Sequence, residues 1–200
     1  MDAENGTRHA YEDRWTSVLQ KGLGHGVRVI AEGTQWPHGR SMTITPPTAT
    51  ANGARVLPTI LHTHAPLDLV IIMLGTNDMK PVYANNAVIV GHGIGRLVET
   101  DPPPCLATGN RRTGDSSSSR RPRFRRTDDP LLGPMFAGRI AESQNLASVY
   151  RDLADELGCG FFDAGSVAKT TPVDGVHMDA ENTRAVGRGL EPVVRMMLGL

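Results

Sequence analysis

Two short stretches of this sequence combine side chains that can hold a charge or move a proton. The first is Gly75-Thr76-Asn77-Asp78. Asn77 offers an amide N–H₂, a donor that no pH change removes. Held at the end of a strand, such a donor can stabilise an oxyanion. Taken alone, the tetrapeptide reads more simply as an Asn and an Asp that close a turn through their own backbone bonds. The second stretch is Asp174-Gly175-Val176-His177. A carboxylate three residues before an imidazole, across a turn that Gly175 permits, can accept the Nδ1 proton and orient the ring. Nε2 is then free to act as a general base. A capped helix start followed by a surface histidine gives the same letters.

The elements around these stretches decide where they sit. Leu69 to Leu74 is apolar at every position, not at alternate ones. That pattern suits a strand covered on both faces, as in a parallel sheet between helices. Ligands of open α/β sheets lie beyond the carboxyl ends of the strands, which is where Gly75–Asp78 falls. Apolar spacing predicts helices over Tyr11–Leu23, Ala54–His64, Phe136–Leu157 and about Asp179–Leu198, with Pro192 expected to kink or restart the last. Val82–Glu99 reads as a helix interrupted by Gly91, Gly93 and Gly95. Val27–Glu32 and Gly160–Ala164 read as strands, and Thr34–Asn52 as a long loop. A helix-first start is unusual for a doubly wound sheet.

Composition narrows the function classes. Two hundred residues favour one domain, and 21 basic against 21 acidic residues imply no global pull toward nucleic acid or membrane. Cys105 and Cys159 make no disulfide framework and fit a reducing, cytoplasmic location. Neither a signal peptide nor a membrane span is expected. His62 and His64 are weak metal ligands without a third partner nearby. Asp101–Pro134 carries Pro102-Pro103-Pro104, Ser116–Ser119 and seven arginines between Arg111 and Arg126. It is expected to be a disordered or irregular insertion, because it has little apolar area to offset its ordering. A basic arm for nucleic acid or anionic lipid is the lesser reading, and no base-reading motif supports it.

Taken together, LDLVIIMLGTND in mid-chain and FFDAGSV…DGVH near the C-terminus resemble the SGNH (GDSL) hydrolase family, most of all its arylesterase/acyltransferase branch. The resemblance implies a flavodoxin-like three-layer α/β sandwich around a parallel sheet. It also implies hydrolysis or transfer of small carboxylic esters without metal or organic cofactor, and a homo-oligomer. By the same likeness Asn77 is an oxyanion donor, His177 the general base and Asp174 its orienting acid. The likeness lapses over Thr34–Thr50, so Gly39 is the assignment for the oxyanion glycine there, with Ser41 beside it as a substitute nucleophile. The family's first strand, with its Gly-Asp-Ser block, is expected to be missing, since residue 1 falls just after it. The strand before the Pro-rich turn is expected to be missing too. The expected function is therefore an SGNH-type esterase, weak or inactive for want of its nucleophile, or else a non-catalytic scaffold retaining the fold.

Overall fold

The computed structural model of the chain describes residues 2–33, 53–100, 117–120 and 122–200. Among the described residues, three parallel strands form one sheet in the order β1 (Ile71–Ile72), β2 (Ser117–Arg120), β3 (Gly160–Asp163). Ile71 stands opposite Ser117, and Ser117 to Arg120 run in register with Gly160 to Asp163. The helices are α1 (Trp15–Leu23), α2 (Gly53–His64), α3 (Ala87–Thr100), α4 (Leu132–Met135), α5 (Ile140–Leu157) and α6 (Ala180–Leu198).

The run around β1 is apolar throughout because each face has its own core. Ile72, with Val70 and Leu74, packs among Val90, Ile94 and Leu97 of α3 and Leu146 and Tyr150 of α5. Leu69, Ile71 and Met73 point the other way, to Leu19 and Leu23 of α1 and Val186, Leu190 and Val194 of α6. Phe161 and Phe162 of β3 divide between the two cores in the same manner. Successive strand side chains alternate across a sheet, so helices on both sides require apolar residues at every position. Helices thus pack on both faces of a parallel sheet, an α/β arrangement.

Several elements differ from the reading of the sequence. Among the described residues, Val27–Glu32 joins no ladder. Its backbone bonds to a side chain instead: Gln20 Nε2 donates to the carbonyl of Val27 at 2.7 Å, and Val29 N–H donates to Gln20 Oε1 at 2.7 Å. Gly91, Gly93 and Gly95 do not interrupt α3. A Cβ on Gly91 would lie 2.4 Å from Val149 Cγ1, and one on Gly95 3.2 Å from Leu153 Cδ1, so these glycines let α3 approach α5 closely. The helix expected from Phe136 begins only at Ile140, after a turn at Gly138 that separates it from α4. Pro192 neither ends nor restarts α6, which runs on to Leu198. Asp179 caps that helix by accepting from Asn182 N–H at 2.8 Å.

The 101–134 stretch lies outside the described residues over 101–116 and at 121. Its described part is mostly irregular, yet it supplies the middle strand β2 and the buried Phe124. The Thr34–Asn52 loop lies outside the described residues.

Candidate active site

The turn after β1 is built around Gly75, whose φ of +110° suits a residue without a side chain. A Cβ there would lie 2.2 Å from the Tyr150 hydroxyl and 3.0 Å from Val90 Cγ1. Tyr150, fully buried on α5, donates its O–H to the carbonyl of Leu74 at 3.2 Å. The chain then makes a short 3₁₀ turn over Asn77–Met79. Asp78 and Met79 point inward, and Asn85 Nδ2 donates to the Asp78 carbonyl at 3.0 Å. Asn77 is left half-buried at the surface of this turn, and its amide makes no hydrogen bond among the described residues. Burial pushes the Lys80 ammonium down from its ordinary value, against the opposing pull of the Asp78 charge.

The second stretch is a tight loop before α6. Asp174 is buried, and its carboxylate receives three donors. Oδ1 accepts the backbone N–H of Val176 at 2.9 Å and of His177 at 2.8 Å. Oδ2 lies 2.6 Å from His177 Nδ1. An ionised carboxylate only accepts, so Nδ1 carries the proton in this contact. Burial pushes the Asp174 carboxyl up; the His177 ring, the two backbone N–H groups and the histidine's charge outweigh it and leave the carboxyl below the ordinary range. Gly175, at φ +73°, turns the chain so that acid and base meet. Val176 then enters the α3/α5 core and Met178 the α1/α6 core. His177 sits between them, its side chain about one-fifth exposed. Its Nε2 makes no hydrogen bond among the described residues.

The predicted site residues are therefore unequally placed. Asp174 and His177 meet directly. Asn77 follows β1 at the carboxyl side of the sheet, and the Met79 of its turn shares a core with Val176 of the Asp174 loop. Gly39 and Ser41 lie outside the described residues. The sequence also holds a Gly114-Asp115-Ser116 tripeptide, again outside them. Ser117, one residue further, opens β2 at its amino end, whereas Gly75–Asn77 follows the carboxyl end of parallel β1.

Sequence reasoning missed the segment Arg123–Thr127, which packs against the Asp174 loop. Its signal was an alternation: Pro122 and Phe124 are buried, Arg123 and Arg125 exposed. A cavity of about 270 Å³ lies between this segment, α4 and the loop, lined by Phe124, Arg126, Leu132, Phe136 and Asp174 among others. His177 and Asn77 do not line it, so it lies on the acid's side of the pair. His64 pairs with Glu32 at 2.7 Å. Among the described residues no cluster of His, Cys, Asp or Glu has a metal-binding arrangement, and no helix is long and apolar enough to cross a membrane.

Comparison with known proteins adds a lineage. No protein-family profile and no curated protein matches the chain. Solved structures do. A carbohydrate acetylesterase family member from Sinorhizobium meliloti is 55% identical with a TM-score of 0.89, over 100% of this chain and 93% of that one. The inhibitor-bound aryl esterase of M. smegmatis is 35% identical with a TM-score of 0.85, over 96% and 88%. A lipolytic G-D-S-L family protein from Veillonella parvula, 11% identical with a TM-score of 0.60 over 96% and 92%, shares the fold.

Proposed function

This chain belongs to the SGNH (GDSL) hydrolase family, and on that premise we propose that its site is built for hydrolysis or transfer of small carboxylic esters, acetylated carbohydrates and aryl esters being the first substrates to try. The observation that carries the reading is the 2.6 Å contact between Asp174 Oδ2 and His177 Nδ1, with the acid buried and Nε2 left open. In the proposed reaction a serine hydroxyl adds to the ester carbonyl while His177 Nε2 takes its proton. Asp174 holds the ring and offsets the imidazolium charge that develops. The Asn77 amide, with the Gly39 backbone N–H, donates to the tetrahedral oxyanion. Collapse expels the alcohol with the proton from His177, and water or a second alcohol then takes the acyl group. No metal or organic cofactor enters this scheme. A cytoplasmic homo-oligomer is the setting we assign to it.

Among the described residues no serine hydroxyl reaches Nε2. We assign the role of substitute nucleophile to Ser41 and expect turnover to be weak. A triad lacking one member retains about 10³–10⁴-fold over water, from binding and oxyanion stabilisation. The test is hydrolysis of p-nitrophenyl acetate and of an acetylated sugar by the chain, beside His177→Ala and Ser41→Ala. Activity lost in both variants supports the assignment. Activity lost only in His177→Ala points to another serine. Equal rates in a folded chain and its His177→Ala variant refute the catalytic reading and leave a scaffold that binds or assembles.

A further inference from the structure

The segment Arg123–Thr127 is bonded to the Asp174 loop at both ends and in the middle. Thr170 Oγ1 donates to the Arg123 carbonyl at 2.8 Å, and Thr170 is buried. Arg125 N–H donates to the Gly175 carbonyl at 2.8 Å, and the Arg125 guanidinium to the Thr170 carbonyl at 3.4 Å. Thr127 Oγ1 donates to the Val173 carbonyl at 2.8 Å. The carbonyls on either side of Asp174, those of Val173 and Gly175, are thus both held from outside the loop. The approach is close: a Cβ on Gly175 would lie 2.2 Å from the Arg125 carbonyl oxygen. Phe124, between the anchors, is buried edge-on against Phe136 and ties the segment to the α3/α5 core. Its N–H donates to Ser143 Oγ of α5 at 3.1 Å.

We propose that Arg123–Thr127 is a strap that fixes the acid–base loop, and that Thr170 and Thr127 are positioning residues acting through it on the Asp174–His177 pair. The inference rests on the reading of that pair given above. The carboxylate is aimed by backbone torsions, because both its oxygens are already committed to donors within four residues. Inside the loop the return bonds are Thr171 N–H to the His177 carbonyl at 2.7 Å and Gly175 N–H to the Thr171 carbonyl at 2.9 Å. These close the loop on itself, and the strap fixes the closed loop to the body of the protein. Releasing a strap hydroxyl lets the Val173–Gly175 backbone turn and widens the contact between Oδ2 and Nδ1.

The readout is the Nδ1 proton of His177, by NMR of the full chain labelled with ¹⁵N in histidine rings, the signal being assigned by its loss in His177→Gln. A carboxylate-bound imidazole proton resonates far downfield and exchanges slowly with water. In Thr170→Val and in Thr127→Val its exchange should quicken about fivefold, the population change that one lost hydrogen bond of ordinary net worth produces. Thr170→Ser and Thr127→Ser should restore the slow rate, since they return the hydroxyl. Circular dichroism confirms that each variant is folded, and Thr127, away from the deep core, serves if Thr170→Val is not. A downfield proton present in the parent and equally slow in the folded valine variants overturns the strap and leaves the pair standing. Its absence from the parent overturns the pair and the strap together.

Discussion

Replacing Gly75 by Ala tests the turn that presents Asn77. Two penalties follow from the structure. A φ of +110° is foreign to an L-residue, and holding one there costs about 1–3 kcal/mol. The added methyl meets the Tyr150 hydroxyl at 2.2 Å, an overpacking that costs about 1–3 kcal/mol where the neighbour is locked. Tyr150 is locked, being fully buried and bonded to the Leu74 carbonyl. Gly75→Ala should therefore lower stability by about 4 kcal/mol. Tyr150→Phe alone removes one hydrogen bond and should cost about 1 kcal/mol. It also removes the atom that the new methyl strikes. The double variant should thus be less damaged than the sum of the singles, by about 1–3 kcal/mol. The assay is urea unfolding followed by far-ultraviolet circular dichroism, with midpoints compared at constant slope. Strict additivity, or a double variant worse than the sum, would refute the claim that the Tyr150 hydroxyl is what makes Gly75 necessary. The strain at φ +110° would then be the whole effect.

Two further outcomes follow from the same structure. Asp174 has its folded pKa below that of the unfolded chain. Its contribution is complete above the ordinary carboxylate value of about 3.9 and is lost as pH falls through the lower folded value. Between about pH 5 and about pH 2 the urea midpoint of the parent should therefore fall further than that of Asp174→Asn, which carries no titrating group there. Phe124→Ala should cost about 3–5 kcal/mol in urea unfolding, whereas Arg126→Ala, at an exposed position of the same segment, should change stability by less than about 0.5 kcal/mol.

What the sequence disclosed follows how local each determinant is. The double-sided apolar run of β1 and the Asp174-x-x-His177 spacing are local patterns, and both were readable. Val27–Glu32 has the letters of a strand, but strand pairing is settled by a neighbour. Here the neighbour is the Gln20 side chain. The glycines of α3 are helix breakers by propensity, but the close approach of α5 reverses their meaning, and no window within α3 contains α5. Pro192 is a similar case, since the caps and apolar stripe of α6 carry the helix past it. The Arg123–Thr127 segment was obscured by its charge. Its arginines read as a solvated arm, while Phe124, which is buried, is one letter among its five. Its hydrogen bonds run mainly from backbone and threonine, which composition does not register.

The opposed insertion of Val176 and Met178 has a consequence for how this site can fail. The loop is a rivet through both layers, seated in one core by the residue before the imidazole and in the other by the residue after it. Local fraying that spares the rest of the molecule is the usual fate of functional loops. Here neither layer can loosen without dragging the histidine with it, and the histidine cannot swing out without unseating a side chain from each. The ring of His177 is in effect a gauge of tertiary order. Any condition that melts one side of the sheet first will be registered there, before the far side has moved.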